Sequence, residues 1–255
     1  MTVARWLLSV VKDIGAAVWL LVRGARGLVQ DWLDEDGLAR RRTAEAFIRF
    51  VWRPLPVLAM LSGLLGLIVG VSVAQLLRRY PAELVVEPAL ARIMARDAAP
   101  LLVGVFASGR ISVELAARIG AMKLDREIEA LEALGHDPAR YVVAPSLAAV
   151  TAAAPIQVLA AYACLWTAAG WTLQLGGVSP WGHYDQLTLT ASSAYALLLG
   201  MAKALSYSLI ALAVGVTIGS GEGRGPAAIG RQSTAAFTFG LLAIFAAAAL
   251  LTRLK

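Results

Sequence analysis

The stretch GAMKLDREIEALEALGHDP, Gly120 to Pro138, is a densely charged block in an otherwise apolar chain. Its apolar residues Met122, Leu124, Ile128, Leu131 and Leu134 fall mostly at helical spacing, and Lys123, Asp125, Arg126, Glu127, Glu129 and Glu132 fill the remainder. The pattern predicts an amphipathic helix of about four turns, stopped by Gly135 and turned by Asp137-Pro138. A helix this short and this charged does not cross a bilayer, which needs about 20 apolar residues. Long uncharged runs lie on both sides, so the segment reads as a helix held at the mouth of a membrane bundle. By itself it is a solvated loop helix or, on the sharper reading, a docking helix for a soluble partner.

Composition supports the membrane. Hydrophobic residues make up 59% of the 255, charged residues only 16%, and the mean hydropathy is +0.70. Soluble domains have an apolar share nearer half or less, so the chain is read as a polytopic membrane protein. The net charge of +6 then bears on topology more than on nucleic acid, since no basic stretch is interleaved with exposed aromatics. A single cysteine, Cys164, excludes an internal disulfide and reads as a small core residue. The two histidines, His136 and His183, are far apart in sequence, and no Ser-His-Asp set or carboxylate pair stands out. A membrane-embedded enzyme is therefore disfavoured, and no catalytic or metal-binding residue is assigned.

From Val3 to Val29, Trp6, Leu7, Val10, Val11, Ile14, Val18 and Leu21 make one apolar face, with Lys12, Asp13, Arg23 and Arg26 elsewhere. This predicts a helix lying in the interface plane, an elbow, in preference to a first crossing that begins at Ile14. Lys12 and Asp13 interrupt the run and no small-residue cleavage site follows, so it is not read as a signal peptide. Asp31 to Arg53 is polar and reads as a cytosolic connector. Pro54 to Leu77 is the first span, and Gly63, Gly66 and Gly70 share one of its faces, for helix packing or for a ligand tail.

The second span poses a length problem, because the uncharged piece Ala98 to Gly109 covers only about 18 Å of a core of about 30 Å. Either Arg96 and Asp97 or Arg110 and Glu114 must enter the membrane. Arg110, Glu114 and Arg118 are spaced to form a ladder on one helix face, which lowers their cost. Val142 to Gly170, with Pro145 and Pro155, is a long and bent third span. Trp171, Trp181 and Tyr184 suit an interfacial belt. Ala194 to Ile218, containing Lys203, is the fourth span. Gly219 to Arg231 is a glycine-rich turn without the Gly-Lys-Ser/Thr of a phosphate loop, and Thr234 to Leu251 is the fifth span.

Five spans put the termini on opposite sides. One side collects nine Lys and Arg before Pro54, five from Arg110 to Arg140 and two from Arg224 to Arg231; the other has four between Arg78 and Arg96 and two in the tail. The asymmetry predicts a cytoplasmic N-terminus, and it places Gly120 to Pro138 where a nucleotide-hydrolysing partner would be.

Three blocks carry a resemblance. Arg96-Asp97-Ala98-Ala99-Pro100 with Ser108-Gly109-Arg110 is one. Ile119-Gly120-Ala121-Met122 through Ala130-Leu131-Glu132-Ala133-Leu134-Gly135-His136-Asp137-Pro138-Ala139-Arg140-Tyr141-Val142-Val143-Ala144-Pro145 is the second, and Gly230, Arg231 and Thr234 close the third. They resemble the MlaE/YrbE family of ABC-transporter permeases, with Lys203 coinciding with a family lysine, over roughly Leu55 to Leu251. Asp97 stands for the family's Glu, Ala99 for a Gly, Arg118 and Arg126 for Glu, and Glu114 for a small residue. The ladder reads as rewired within a retained fold.

The resemblance implies an all-α membrane protein: an interfacial elbow helix and connector over residues 1–53, then a transmembrane domain over 54–255 with five spans and a cytoplasmic coupling helix between the second and third. It implies a homodimeric permease in the bacterial inner membrane that moves phospholipid or a similar hydrophobic molecule. Its partners would be a separate ABC ATPase, optionally with a small STAS-domain accessory subunit, and a periplasmic MCE-domain protein. No cofactor is expected on this chain, ATP and Mg belonging to the ATPase. Met122, Asp125, Glu127, Ile128, Glu129, Leu131 and Glu132 would couple to the ATPase. Gly63, Leu67, Gly70 and Val71 would line a lipid cavity, with Arg96, Asp97 and Lys203 near a headgroup or held as a structural pair. The alternative is a secondary transporter or channel working without an ATPase, using Lys203 and the second-span charges.

Overall fold

Apolar runs punctuated by glycine, proline and charge dictate helices, and a computed structural model of the chain describes residues 37–79, 83–191, 194–221 and 225–253, in which no strand occurs. Among the described residues, five helices are long and apolar enough to cross a membrane: Thr43–Arg79, Leu84–Leu124, Tyr141–Leu175, Ala194–Gly219 and Pro226–Leu251. The elbow expected over Val3 to Val29 lies outside the described residues.

Several boundaries differ from expectation for identifiable reasons. The second half of the supposed connector is helical. Gly37–Phe47 leads through a π-helical turn, Ile48–Trp52, into Leu55–Arg79, because the polar residues there alternate with apolar ones at helical spacing. The wide turn has a cause in Pro54, whose ring cannot tolerate the carbonyl four residues back, at Phe50. The same reasoning applies to the π-helical turn Met94–Ala98, which precedes Pro100. The second span is one run of helical turns from Leu84 to Leu124, 41 residues. Arg96, Asp97, Arg110 and Glu114 all fall within it, so both sets of charges belong to the crossing helix. The third helix is longer than expected, Pro138–Leu175, and the fifth begins at Pro226. Each opens on a proline, whose missing N–H costs nothing in a first turn. The polar Arg231 and Gln232 had disguised the start of the fifth as loop.

Two compact units are distinguishable, with boundaries that fall inside the long helices. The first takes its described residues from Met1–Trp52, Val105–Ala153 and Ser208–Ala247. Its hub is a π-helical turn of the second span, Ser108–Ser112. Ser112 Oγ donates to the Ala211 carbonyl and Ser108 Oγ to that of Phe237, both at 2.9 Å. The fourth and fifth spans approach closely because Gly215 and Gly240 stand opposite: a Cβ on either would lie 2.7 Å from Ser112 O or Ser108 Oγ.

The second unit comprises Arg53–Gly104, Ala154–Tyr207 and Ala248–Lys255, where described. Its first span buries one narrow stripe, Leu58, Ser62, Gly66, Gly70, Ala74 and Leu77, at near four-residue spacing. Met60, Leu64, Ile68 and Val71 stay exposed. The segment after the third span holds a helix at Trp181–Ala191 that packs against Glu83–Ile93. Tyr184 is therefore not a belt residue, and Trp181 is half-buried beside it. They form a cluster with Trp166, ring centroids 5.5 to 6.0 Å apart, seated where Gly170 leaves room. Tyr184 is fully buried and donates its hydroxyl to the Trp166 carbonyl at 3.2 Å. Burial, with Tyr162 and Glu87 nearby, pushes that hydroxyl's pKa up, so it remains a donor. Trp171 alone of the three faces outward.

Candidate functional site

In the first unit, the segment Gly120 to Pro138 is not one four-turn helix. The second span ends at Leu124; Asp125 closes it, donating its N–H to Ala121 O at 2.9 Å, and Arg126 takes a left-handed conformation at φ 58°. A two-turn helix, Glu127–Ala133, then follows. Gly135, at φ 75°, stops it with a Schellman pair of bonds: Gly135 N–H to Glu132 O at 3.0 Å and His136 N–H to Leu131 O at 2.9 Å. Neither glycine nor proline announces the break at Asp125-Arg126, and the apolar spacing runs on across it.

The break changes what the segment presents. Met122 is buried as the last anchor of the second span. Ile128 and Leu131 are half-buried, and nothing in Glu127–Ala133 is fully enclosed. Leu124 and Leu134 are exposed, beside Asp125, Glu127, Glu129 and Glu132. The result is an acidic surface with apolar flanks, its carboxylates exposed and only Ile128 and Leu131 half-buried beneath them.

Directly behind it, Lys123 reaches across the unit. Its Nζ donates to the Ser220 carbonyl and, at 3.0 Å, to that of Gly221. Gln232 Nε2 also bonds Gly221 O, at 3.5 Å. Gly120, one turn earlier, admits Ile229 and Gln232, whose atoms lie 3.0 to 3.3 Å from where its Cβ would be.

The charge ladder is only partly as expected. Arg110 meets Glu114 at 3.5 Å, but the other carboxylate oxygen is taken by Arg49 at 3.4 Å. With both oxygens engaged, Arg118 makes no ion pair among the described residues. Arg49 escaped sequence reading because it was assigned to a polar connector; the apolar residues Phe47, Ile48, Phe50 and Val51 around it signalled a continuing helix. Ser108, Ser112, Gly215 and Gly240 also went unnoticed, since their partners are distant in sequence.

In the second unit, Lys203 Nζ lies 2.5 Å from Asp97 Oδ1. The lysine side chain is 7% exposed and the aspartate 38%, so the pair is enclosed on the ammonium side and open at the carboxylate. Asp97 projects from the π-helical turn Met94–Ala98, and Gly200 of the fourth span presses against the Ala95 carbonyl there. Arg96 is half-buried beside it and has no ion-pair partner among the described residues. Gly70 packs: a Cβ there would meet Thr172 Oγ1 and lie 2.8 Å from Ala169 O. Gly63 has open space, and Leu67 and Val71 are exposed.

A family model described as Permease MlaE matches residues 43–254. A probable ABC transporter permease protein of Rickettsia typhi is 30% identical over 105 residues, 41% of this chain and 40% of its own. Another, from Synechocystis, is 29% identical over 117 residues, 46% and 44% of the two chains. The intermembrane phospholipid transport system permease protein MlaE of Haemophilus influenzae is 26% identical over 151 residues, 58% of each. The alignments thus span less than three fifths of any of these relatives.

Proposed function

The chain belongs to the MlaE permease family, and from that premise we propose that it is the membrane subunit of an ABC transporter moving phospholipid or a similar hydrophobic molecule. The observation that carries the reading is the acidic segment Asp125 to Glu132, whose carboxylates stand exposed between two crossing helices. Asp125, Glu127, Glu129 and Glu132 meet a separate ATPase that binds ATP and Mg, while Ile128, Leu131 and the exposed Leu124 and Leu134 supply its apolar contacts. Met122 fixes the segment to the second span. The Lys and Arg asymmetry puts this segment and the N-terminus on the cytoplasmic side of a bacterial inner membrane.

The exposed face of the first span, with Gly63, Leu67 and Val71, is apolar enough for acyl chains or for a second copy of the chain, and a homodimer encloses the cavity. Asp97 and Lys203, with Arg96, stand at its polar end and orient a headgroup. An MCE-domain protein on the far side exchanges lipid with that cavity. Purification in mild detergent, with identification of co-purifying proteins and lipids, tests the reading. An ATPase, an MCE-domain protein and phospholipid are expected. Lipid or ion transport by the chain alone in liposomes favours instead an ATPase-independent transporter built on the Asp97–Lys203 pair.

A further inference from the structure

Helix Glu127–Ala133 fully encloses no residue, and its covalent connection toward the second span is one route for force applied to it. Toward the second span it passes Arg126 and Asp125 and reaches Lys123 at once. There the chain changes character. Lys123 Nζ holds the carbonyls of Ser220 and Gly221, just past the last turn of the fourth span. Gln232, in the opening turns of the fifth span, bonds the same Gly221 carbonyl. Gly120 and Gly219 let the three helix ends close: a Cβ on Gly219 would lie 2.9 Å from Ala116 Cα, and one on Gly120 would lie 3.0 Å from Gln232 Oε1.

The end of a helix leaves carbonyls without intrahelical donors and carries partial negative charge. A cation there is held by both effects. Lys123 supplies it from another helix, two residues from the point where the handle begins. We infer that Lys123 is a positioning residue for transport, the latch by which movement of the docking segment reaches the fourth and fifth spans. The inference rests on the reading of that segment as the handle for an ATPase.

The test uses the whole permease–ATPase complex in liposomes with a fluorescent phosphatidylethanolamine. Measured together are ATP hydrolysis, ATP-dependent lipid movement, retention of the ATPase and the melting temperature. Lys123→Met is expected to keep the ATPase bound and hydrolysing while lipid moved per ATP falls at least tenfold. Lys123→Arg, which can cap the same carbonyls, restores most of it. Equal lipid movement per ATP in Lys123→Met and wild type overturns the latch. So does, in a complex that still assembles, a fall in melting temperature in proportion to the loss of transport, since that marks a mere cap. If Lys123→Met fails to assemble, Gly120→Ala serves, because it displaces Gln232 and Ile229 and leaves Lys123 in place; a partial loss of coupling supports the latch and none overturns it. A wild-type complex that moves lipid equally without ATP overturns the docking reading as well, an outcome distinct from a competent wild type with an unaffected variant.

Discussion

The Arg78 guanidinium donates to the carbonyl oxygen of Gly176 at 2.7 Å, so a cation at the end of the first span closes the end of the third. Lys123 does the same for the fourth span in the other unit. Two neighbouring helices that end at the same level present like partial charges, and a shared cation neutralises both. Arg78→Ala is expected to lower stability by about 1 kcal/mol, the worth of an exposed charge-assisted hydrogen bond, and Arg78→Lys by less. Thermal unfolding in detergent measures it, and an unchanged melting temperature for Arg78→Ala contradicts it.

Glycines on one helix face separate into packing and open positions. Gly70→Leu forces a side chain into Thr172 and the backbone at Ala169, and overpacking of this kind costs about 1–3 kcal/mol. A Cβ at Gly63 would meet nothing within 4 Å, and Gly63→Leu is expected to leave stability unchanged. A loss of lipid movement in Gly63→Leu with intact stability marks that face as the cargo side; equal destabilisation by both changes contradicts the distinction.

The Asp97–Lys203 pair is asymmetric, and its two halves are expected to respond differently. Asp97→Asn strands an ammonium that is 7% exposed, a loss of about 3–5 kcal/mol for an unpaired buried charge. Lys203→Met leaves a carboxylate that is 38% exposed and can be hydrated, so its cost is smaller. The double change is expected to be milder than Asp97→Asn alone. Melting temperatures of the three variants check this, and equal effects of the two single changes count against it.

Much of the fold was legible because apolar length is a local signal. The fourth span was read as Ala194 to Ile218 and found as Ala194–Gly219, since nothing charged but Lys203 interrupts it. The second span was obscured by Arg96, Asp97, Arg110 and Glu114, whose partners become visible only in three dimensions: Lys203 lies 106 positions from Asp97, and Arg49 sits in what looked like a connector. Tyr184 was misplaced because an aromatic near a helix end looks the same whether it faces a headgroup or a glycine notch. The stop at Gly135 was legible, since only a positive φ closes a helix that way. The break at Arg126 was not, because a left-handed arginine carries no mark in the sequence.

The coupling surface is tested most directly by charge reversal. Glu127→Lys with Glu129→Lys changes two exposed side chains of a helix with no buried residue, so the permease itself is expected to fold and melt as before. The measurement is the amount of ATPase that co-purifies with this double variant in mild detergent, relative to wild type. The account predicts that the wild-type chain brings down an ATPase and that the double variant loses at least tenfold of it, together with ATP-dependent lipid movement. Undiminished co-purification, or lipid movement by the isolated chain without ATP, would contradict it.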